Sequence, residues 1–142
     1  MFHSALAKAR ANEISKDVIG AAIDVHRELG PGLLETAYEA CLEHELKSRN
    51  FAVVRQLELP VVYKGKPVDC AYRIDLLVED TVLIELKSVE RLDRIHEAQT
   101  ITYLRLSNRW LGLLMNFNVT LLKNGIKRLV WSPDGEPDTG SI

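Results

Sequence analysis

The stretch IDLLVEDTVLIELK, residues 74–87, decides how the rest of the chain is read. Two runs rich in Leu, Val and Ile flank the short polar turn Glu79-Asp80-Thr81, the pattern of two neighbouring strands, predicted over 68–78 and 82–89. Side chains alternate faces along a strand. Asp75 is therefore expected on a face with Arg73 and Leu77. Glu85 and Lys87 share a face, while Ile84 and Leu86 point the other way. A turn of only a few residues lets Asp75 and Glu85 converge at one end of the pair, with Lys87 beside them. Ionised groups are costly to bury without a partner or a metal, and two adjacent carboxylates repel unless a cation lies between them. A hard, oxygen-seeking ion such as Mg²⁺ suits an Asp/Glu pair supplemented by a backbone carbonyl. The bland alternative is that Lys87 pairs with one carboxylate on an exposed sheet face.

Upstream, residues 53–54 and 57–63 read as extended segments, and Lys64-Gly65-Lys66-Pro67 as a turn. Before them, Ile14, Val18, Ala22, Val25 and Leu29 recur at helical spacing, with Ser15 placed to begin that helix. Gly30-Pro31-Gly32 ends it, because a proline disfavours helical geometry in the residue before it. A second helix is predicted over 33–49, with the apolar stripe Leu34, Tyr38, Cys41, Leu42 and Leu46. Downstream, a third helix over 94–107 is expected to turn Ile95, Ala98, Ile101 or Thr102, and Leu106 inward. Residues 111–117 are almost wholly apolar, as in a strand buried on both faces. Asn124-Gly125 reads as a hairpin turn and 126–131 as a last, edge strand. A strand–helix–strand crossover makes 82–89 and 111–117 parallel. The fold class is α/β, a mixed sheet flanked by helices and preceded by a helical hairpin.

With 142 residues, 46% hydrophobic, the chain suits one core; halves would bury too little apolar surface alone. One domain over 1–131 and a mobile polar tail over 132–142 are expected. A net charge of −2 excludes a histone-like polycation, though not a local basic face. Cys41 and Cys70 belong to no Cys/His cluster, which argues for two reduced thiols and against structural zinc. No run approaches ~18 apolar residues, and residues 1–13 lack the apolar core of a leader, so a cytoplasmic location with no membrane association is expected. There is no glycine-rich phosphate loop of the GxxxxGK type. Cys41 and His26 do not form an assigned nucleophile–base pair, and His26 reads as a packed or capping residue.

The helices add polar residues of interest. Glu35 lies in the first turn of the second helix, where the helix dipole favours a carboxylate, and Tyr38 follows on the same face. Gln99 and Tyr103 are one turn apart on the third helix, near His96. At this point a family pattern emerges. Gly32-Leu33-Leu34-Glu35-Thr36-Ala37-Tyr38 matches GxxExxY, the signature that names a family of small bacterial and archaeal proteins. The likeness runs from about residue 14 to 130 and takes in Leu29-Gly30-Pro31-Gly32, Glu85-Leu86-Lys87 and Leu113-Leu114-Met115-Asn116-Phe117. That family is grouped with the PD-(D/E)xK nucleases, and this chain resembles their RecB-like branch. One departure is Ile74, where the superfamily motif has proline.

The resemblance implies a restriction-endonuclease-like sheet and a nuclease hydrolysing a DNA or RNA backbone. It implies a helix acid at Glu35, a core acid at Asp75, the ExK element at Glu85 and Lys87, and a QxxxY element at Gln99 and Tyr103. Asp75, Glu85 and the Leu86 carbonyl would hold Mg²⁺ or Mn²⁺, with Glu35 reaching the same ion. Lys87 would orient or deprotonate the attacking water, and Tyr38, Gln99 and Tyr103 would contact substrate or support the acids. Arg73, Arg91, Arg94, Arg105, Arg109, Lys123, Lys127 and Arg128 are candidate phosphate contacts, which give affinity without sequence choice. So small a core is expected to act as a homo-oligomer or beside a partner protein. The alternative reading is a non-catalytic nucleic-acid-binding or scaffold protein that keeps the nuclease fold.

Overall fold

Among the described residues, apolar periodicity sets three α-helices around one five-stranded sheet. The computed structural model describes residues 3–135, 138, 140 and 142, apart from the side chains of Cys70 and Ala71. Expectations for the Cys70 thiol and for part of the 132–142 tail thus lie outside the described residues. In chain order the elements are α1 (Ala5–Leu29), α2 (Glu35–Ser48), β1 (Val53–Tyr63), β2 (Lys66–Val78), β3 (Val82–Lys87), α3 (Arg94–Ser107), β4 (Leu111–Asn116), a 3₁₀ turn (Leu122–Gly125) and β5 (Ile126–Val130). The sheet order is β1-β2-β3-β4-β5. β1, β2 and β3 form an antiparallel meander, β3 and β4 are parallel, and β5 returns antiparallel as an edge. This is the mixed, helix-flanked sheet expected of a restriction-endonuclease-like fold.

Each face of the sheet carries its own apolar cluster. On one, Ile14, Val18, Ala22 and Val25 of α1 and Tyr38, Leu42 and Leu46 of α2 pack on Leu76, Val78, Val82, Ile84, Leu86, Leu113 and Met115. On the other, Tyr103 and Leu104 of α3 pack on Leu59, Ile74, Leu77 and Leu83. β4 is buried along its whole length, as an all-apolar central strand must be. Its Gly112 lets α3 approach closely: a Cβ there would stand 3.3 to 3.4 Å from Leu104 and Thr100 side-chain atoms.

Several expectations need correction. α1 begins at Ala5, not at residue 14, and Ser15 is an interior residue whose hydroxyl donates to the Asn12 carbonyl. The true cap is Ser4, whose Oγ accepts the Ala7 N–H at 3.0 Å. Residues 5–11 are rich in alanine, a strong helix former that extends the helix without an apolar period to betray it. The buried face of α3 is Thr100, Tyr103 and Leu104, with the expected Ile101 and Leu106 packed at its edge, whereas Ile95 is 66% exposed and Ala98 lies at the surface. Leu34 is also exposed, because it caps α2 from outside. β1 is one strand across 53–63, β3 stops at Lys87, and Asn124-Gly125 closes a 3₁₀ turn in place of a hairpin.

Candidate active site

β2 and β3 are paired by their backbones only at Leu76–Ile84, Leu77–Leu83 and Val78–Val82. Beyond Leu76 the strands part, and acidic side chains replace the ladder. Glu85 Oε1 accepts the Asp75 N–H at 3.1 Å, and Asp75 Oδ2 accepts the Leu86 N–H at 2.9 Å. Each carboxylate thereby satisfies a backbone donor that the opening would otherwise orphan. Simple alternation fails here: Ile74 joins Leu77 in one cluster while Leu76 joins Val78 in the other. Asp75 thus sits where the strand changes face. Opposite it, the register of β1 passes from Arg55–Leu76 to Leu57–Ile74, and the intervening Gln56 has φ +55°.

Burial sets the electrostatics. Glu85 is only 6% exposed. Burial foremost, then the charge of Asp75, pushes its carboxyl well above the usual range, against the Asp75 N–H and the Lys87 charge. Asp75 is pushed up to about 6 by burial, opposed by the Leu86 N–H and reinforced by Glu39. The Tyr103 phenol is raised by burial and then by Glu85 and Asp75, which places the tyrosine in their field.

Other expected residues are distributed unevenly around this fork. Lys87 is half-buried at the end of β3 and makes no side-chain hydrogen bond or ion pair among the described residues, so the simple Lys–carboxylate ion pair is not formed. Leu86 meets Asp75 through its N–H. Gln99 is half-buried one turn before Tyr103. Glu35 is held elsewhere: its Oε1 accepts the Ser88 N–H at 3.2 Å. Tyr38 ties down the Gly-Pro-Gly turn, donating to the Gly30 carbonyl at 2.5 Å, accepting the Leu33 N–H at 3.1 Å and stacking on Phe117 at 4.5 Å. His26 is packed, with Nε2 at 3.0 Å from the Phe117 carbonyl oxygen.

The helix acid that does meet the fork is Glu39. It is 5% exposed, and its carboxylate accepts Arg55 Nε at 2.7 Å and Gln56 Nε2 at 2.6 Å. Gln56 Nε2 also lies 3.2 Å from Asp75 Oδ1. Glu39 stands one turn beyond Glu35 on the same helix face, so spacing could have found it. Gln56 had no comparable signal, since its role follows from a left-handed backbone within a strand.

Among the described residues, no three or more His, Cys, Asp or Glu side chains form a ready cation cage. The donors at the fork nevertheless fit a hard divalent ion: they are oxygens only, and carboxylates whose proton affinity is raised by acidic neighbours, Glu85 by Asp75 and Asp75 by Glu39, gain from a cation among them. Of the basic candidates, Arg73 pairs with Glu58, Lys127 with Glu97 and Arg128 with Asp138. Arg109 binds Asp80 at the opposite end of β3 from the acids. Arg91 and Arg94 flank the entry to α3, just past Lys87.

A family model described as PD-(D/E)XK nuclease superfamily matches residues 12–129. No curated protein and no solved structure matches the chain.

Proposed function

The chain belongs to the PD-(D/E)XK nuclease superfamily, and from that premise we propose that it is a divalent-metal-dependent nuclease hydrolysing the backbone of DNA or RNA. The observation that supports this reading best is the fork, where a partly buried Asp75 bears on a buried Glu85 and each carboxylate binds the other's strand. Members of the superfamily generally use divalent ions; Mg²⁺ or Mn²⁺ held by Asp75, Glu85 and the Leu86 carbonyl would supply Lewis acidity toward the phosphate. Lys87, unpaired beside Glu85, holds the attacking water and offsets negative charge growing on the phosphoryl oxygens. Tyr103 contacts the phosphodiester from α3, with Gln99 one turn away. The geometry favours Glu39 over Glu35 as the helix acid, which leaves Glu35 and Tyr38 to order the 30–35 turn. Arg91 and Arg94 are the candidate phosphate contacts nearest Lys87. The finer family placement, with the GxxExxY proteins of the RecB-like branch, rests on residues 32–38 and on the order of the other motif elements. We further read residues 1–131 as one nuclease-like domain, cytoplasmic and acting as an oligomer or with a partner. Among the described residues no helix is long and apolar enough to cross a membrane.

The test is calorimetric titration of Mg²⁺ and Mn²⁺ into wild type, Asp75→Ala and Glu85→Ala, with cleavage of single- and double-stranded DNA and RNA followed in parallel. Each substitution is expected to abolish cation binding and to slow cleavage by on the order of 10²–10³-fold or more. Wild-type protein that binds neither ion at millimolar concentration would sink the reading.

A further inference from the structure

We propose that Gln56 is a positioning residue for the cation-binding acids: its amide draws Glu39 of α2 and Asp75 of β2 to one nitrogen, fixing the helix acid against the strand acid. The inference rests on the metal-dependent reading of the same site. Three observations carry it. The amide nitrogen stands 2.6 Å from Glu39 Oε1 and 3.2 Å from Asp75 Oδ1, so a single donor spans two like-charged groups from different elements. The backbone that aims it is unusual, because a φ of +55° within a β-strand is a left-handed conformation that crowds the Cβ of a non-glycine residue. Such strain persists where surrounding structure over-determines it, commonly at functional sites. The register of β1 against β2 also continues unshifted on both sides of the Gln56–Asp75 position, so the conformation is confined to the residue facing the acid.

Without that amide, nothing neutral stands between Glu39 and Asp75, and Glu39 is left to Arg55, which binds its other oxygen at 2.7 Å. Glu39 then turns toward the guanidinium and away from the fork. Gln56 supplies no charge and takes no part in bond-breaking. It keeps two acids at the spacing a cation needs, as partners behind metal ligands commonly do.

Gln56→Gly removes the amide while suiting the left-handed backbone, so the variant is expected to fold at least as well as wild type. Mn²⁺ affinity, measured by calorimetry on the full chain, is expected to fall about 10–100-fold. Glu39→Gln should weaken Mn²⁺ binding in the wild-type background but add little in the Gln56→Gly background, because the amide and the acid act as one unit. Bound Tb³⁺ provides a signature that a merely structural role would not move: its luminescence lifetimes in H₂O and D₂O should report about one extra coordinated water in Gln56→Gly, where Glu39 has left the ion. Unchanged or tighter Mn²⁺ binding in Gln56→Gly would overturn the proposal, as would fully additive losses in the double variant. Wild type that binds no Mn²⁺ would remove the underlying metal-dependent reading, whereas normal wild-type binding with an indifferent Gln56→Gly would remove this inference alone.

Discussion

The two ends of the β2–β3 pair obey opposite rules. At the turn end, Leu76, Leu77 and Val78 face Ile84, Leu83 and Val82, all 2% exposed or less and joined by backbone hydrogen bonds. At the open end, Glu85 is nearly as enclosed and Asp75 is partly buried, yet carboxylates hold the strands and the strands separate. The first end gains stability from apolar burial on both faces of the sheet. The second spends some of that stability keeping two repelling acids together. A strained, charged fork thus persists because a rigid apolar clamp lies one residue away.

This contrast can be attacked from the clamp first. Leu83→Ala, at a fully buried site under α3, is expected to lower stability to urea by about 2–5 kcal/mol. A loss below 1 kcal/mol would mean that the turn end does not carry the fork. The fork itself should reveal its strain through pH. Asp75 and Glu85 are raised above their ordinary values, so between about pH 4 and their folded-state values the native chain binds more protons than the unfolded one. Stability without divalent cations should therefore fall as pH rises from 5 to 7.5. For Asp75, pushed up to about 6, the loss is on the order of 1–3 kcal/mol, and it should disappear from the profile of Asp75→Asn. A profile identical in wild type and Asp75→Asn would show the open end to be unstrained.

Two helix variants sharpen the boundary of the charged region. Glu39→Gln is expected to weaken Mn²⁺ binding by about 10–100-fold in calorimetry. The same change one turn earlier, Glu35→Gln, should alter it by no more than about two-fold, since an exposed carboxylate bonded to a loop N–H contributes little at a distance. Equal effects would return Glu35 to the site.

The fold was legible wherever burial was two-sided or periodic. The apolar run at 111–117, the 82–87 strand and the helical spacing from Ile14 to Val25 all declared themselves, and the parallel β3–β4 pair followed from the helix between them. Alanine at 5–11 makes helix by propensity with no buried stripe, so the start of α1 was hidden. The inward face of α3 was read in part: Ile101 and Leu106 do pack on its cluster, whereas Ile95 and Ala98 lie outside and Thr100 settles against Gly112. At the site, Asp75, Glu85 and Lys87 were visible as charges inside apolar strands. Glu39 was obscured by Glu35, the motif acid, and Gln56 by a backbone conformation that its residue type does not encode. The alternation rule held along β3, where Ile84 and Leu86 share one cluster, but broke on β2 between Ile74 and Leu76, where the ladder opens.

The end of β3 combines opposite mobilities in one residue. The Phe117 N–H donates to the Lys87 carbonyl at 2.9 Å, and Phe117 is itself pressed against the Tyr38 ring that fastens the 30–33 turn. The lysine's peptide is therefore a fixed pivot, while its four-carbon stem ends in an amine that makes no hydrogen bond or ion pair among the described residues, though its charge reaches Glu85. Rotamer exchange in such a stem takes picoseconds to nanoseconds. Under the proposed nuclease reading, the amine would follow a moving phosphate oxygen while its anchor, set by the aromatic stack behind it, stays in place.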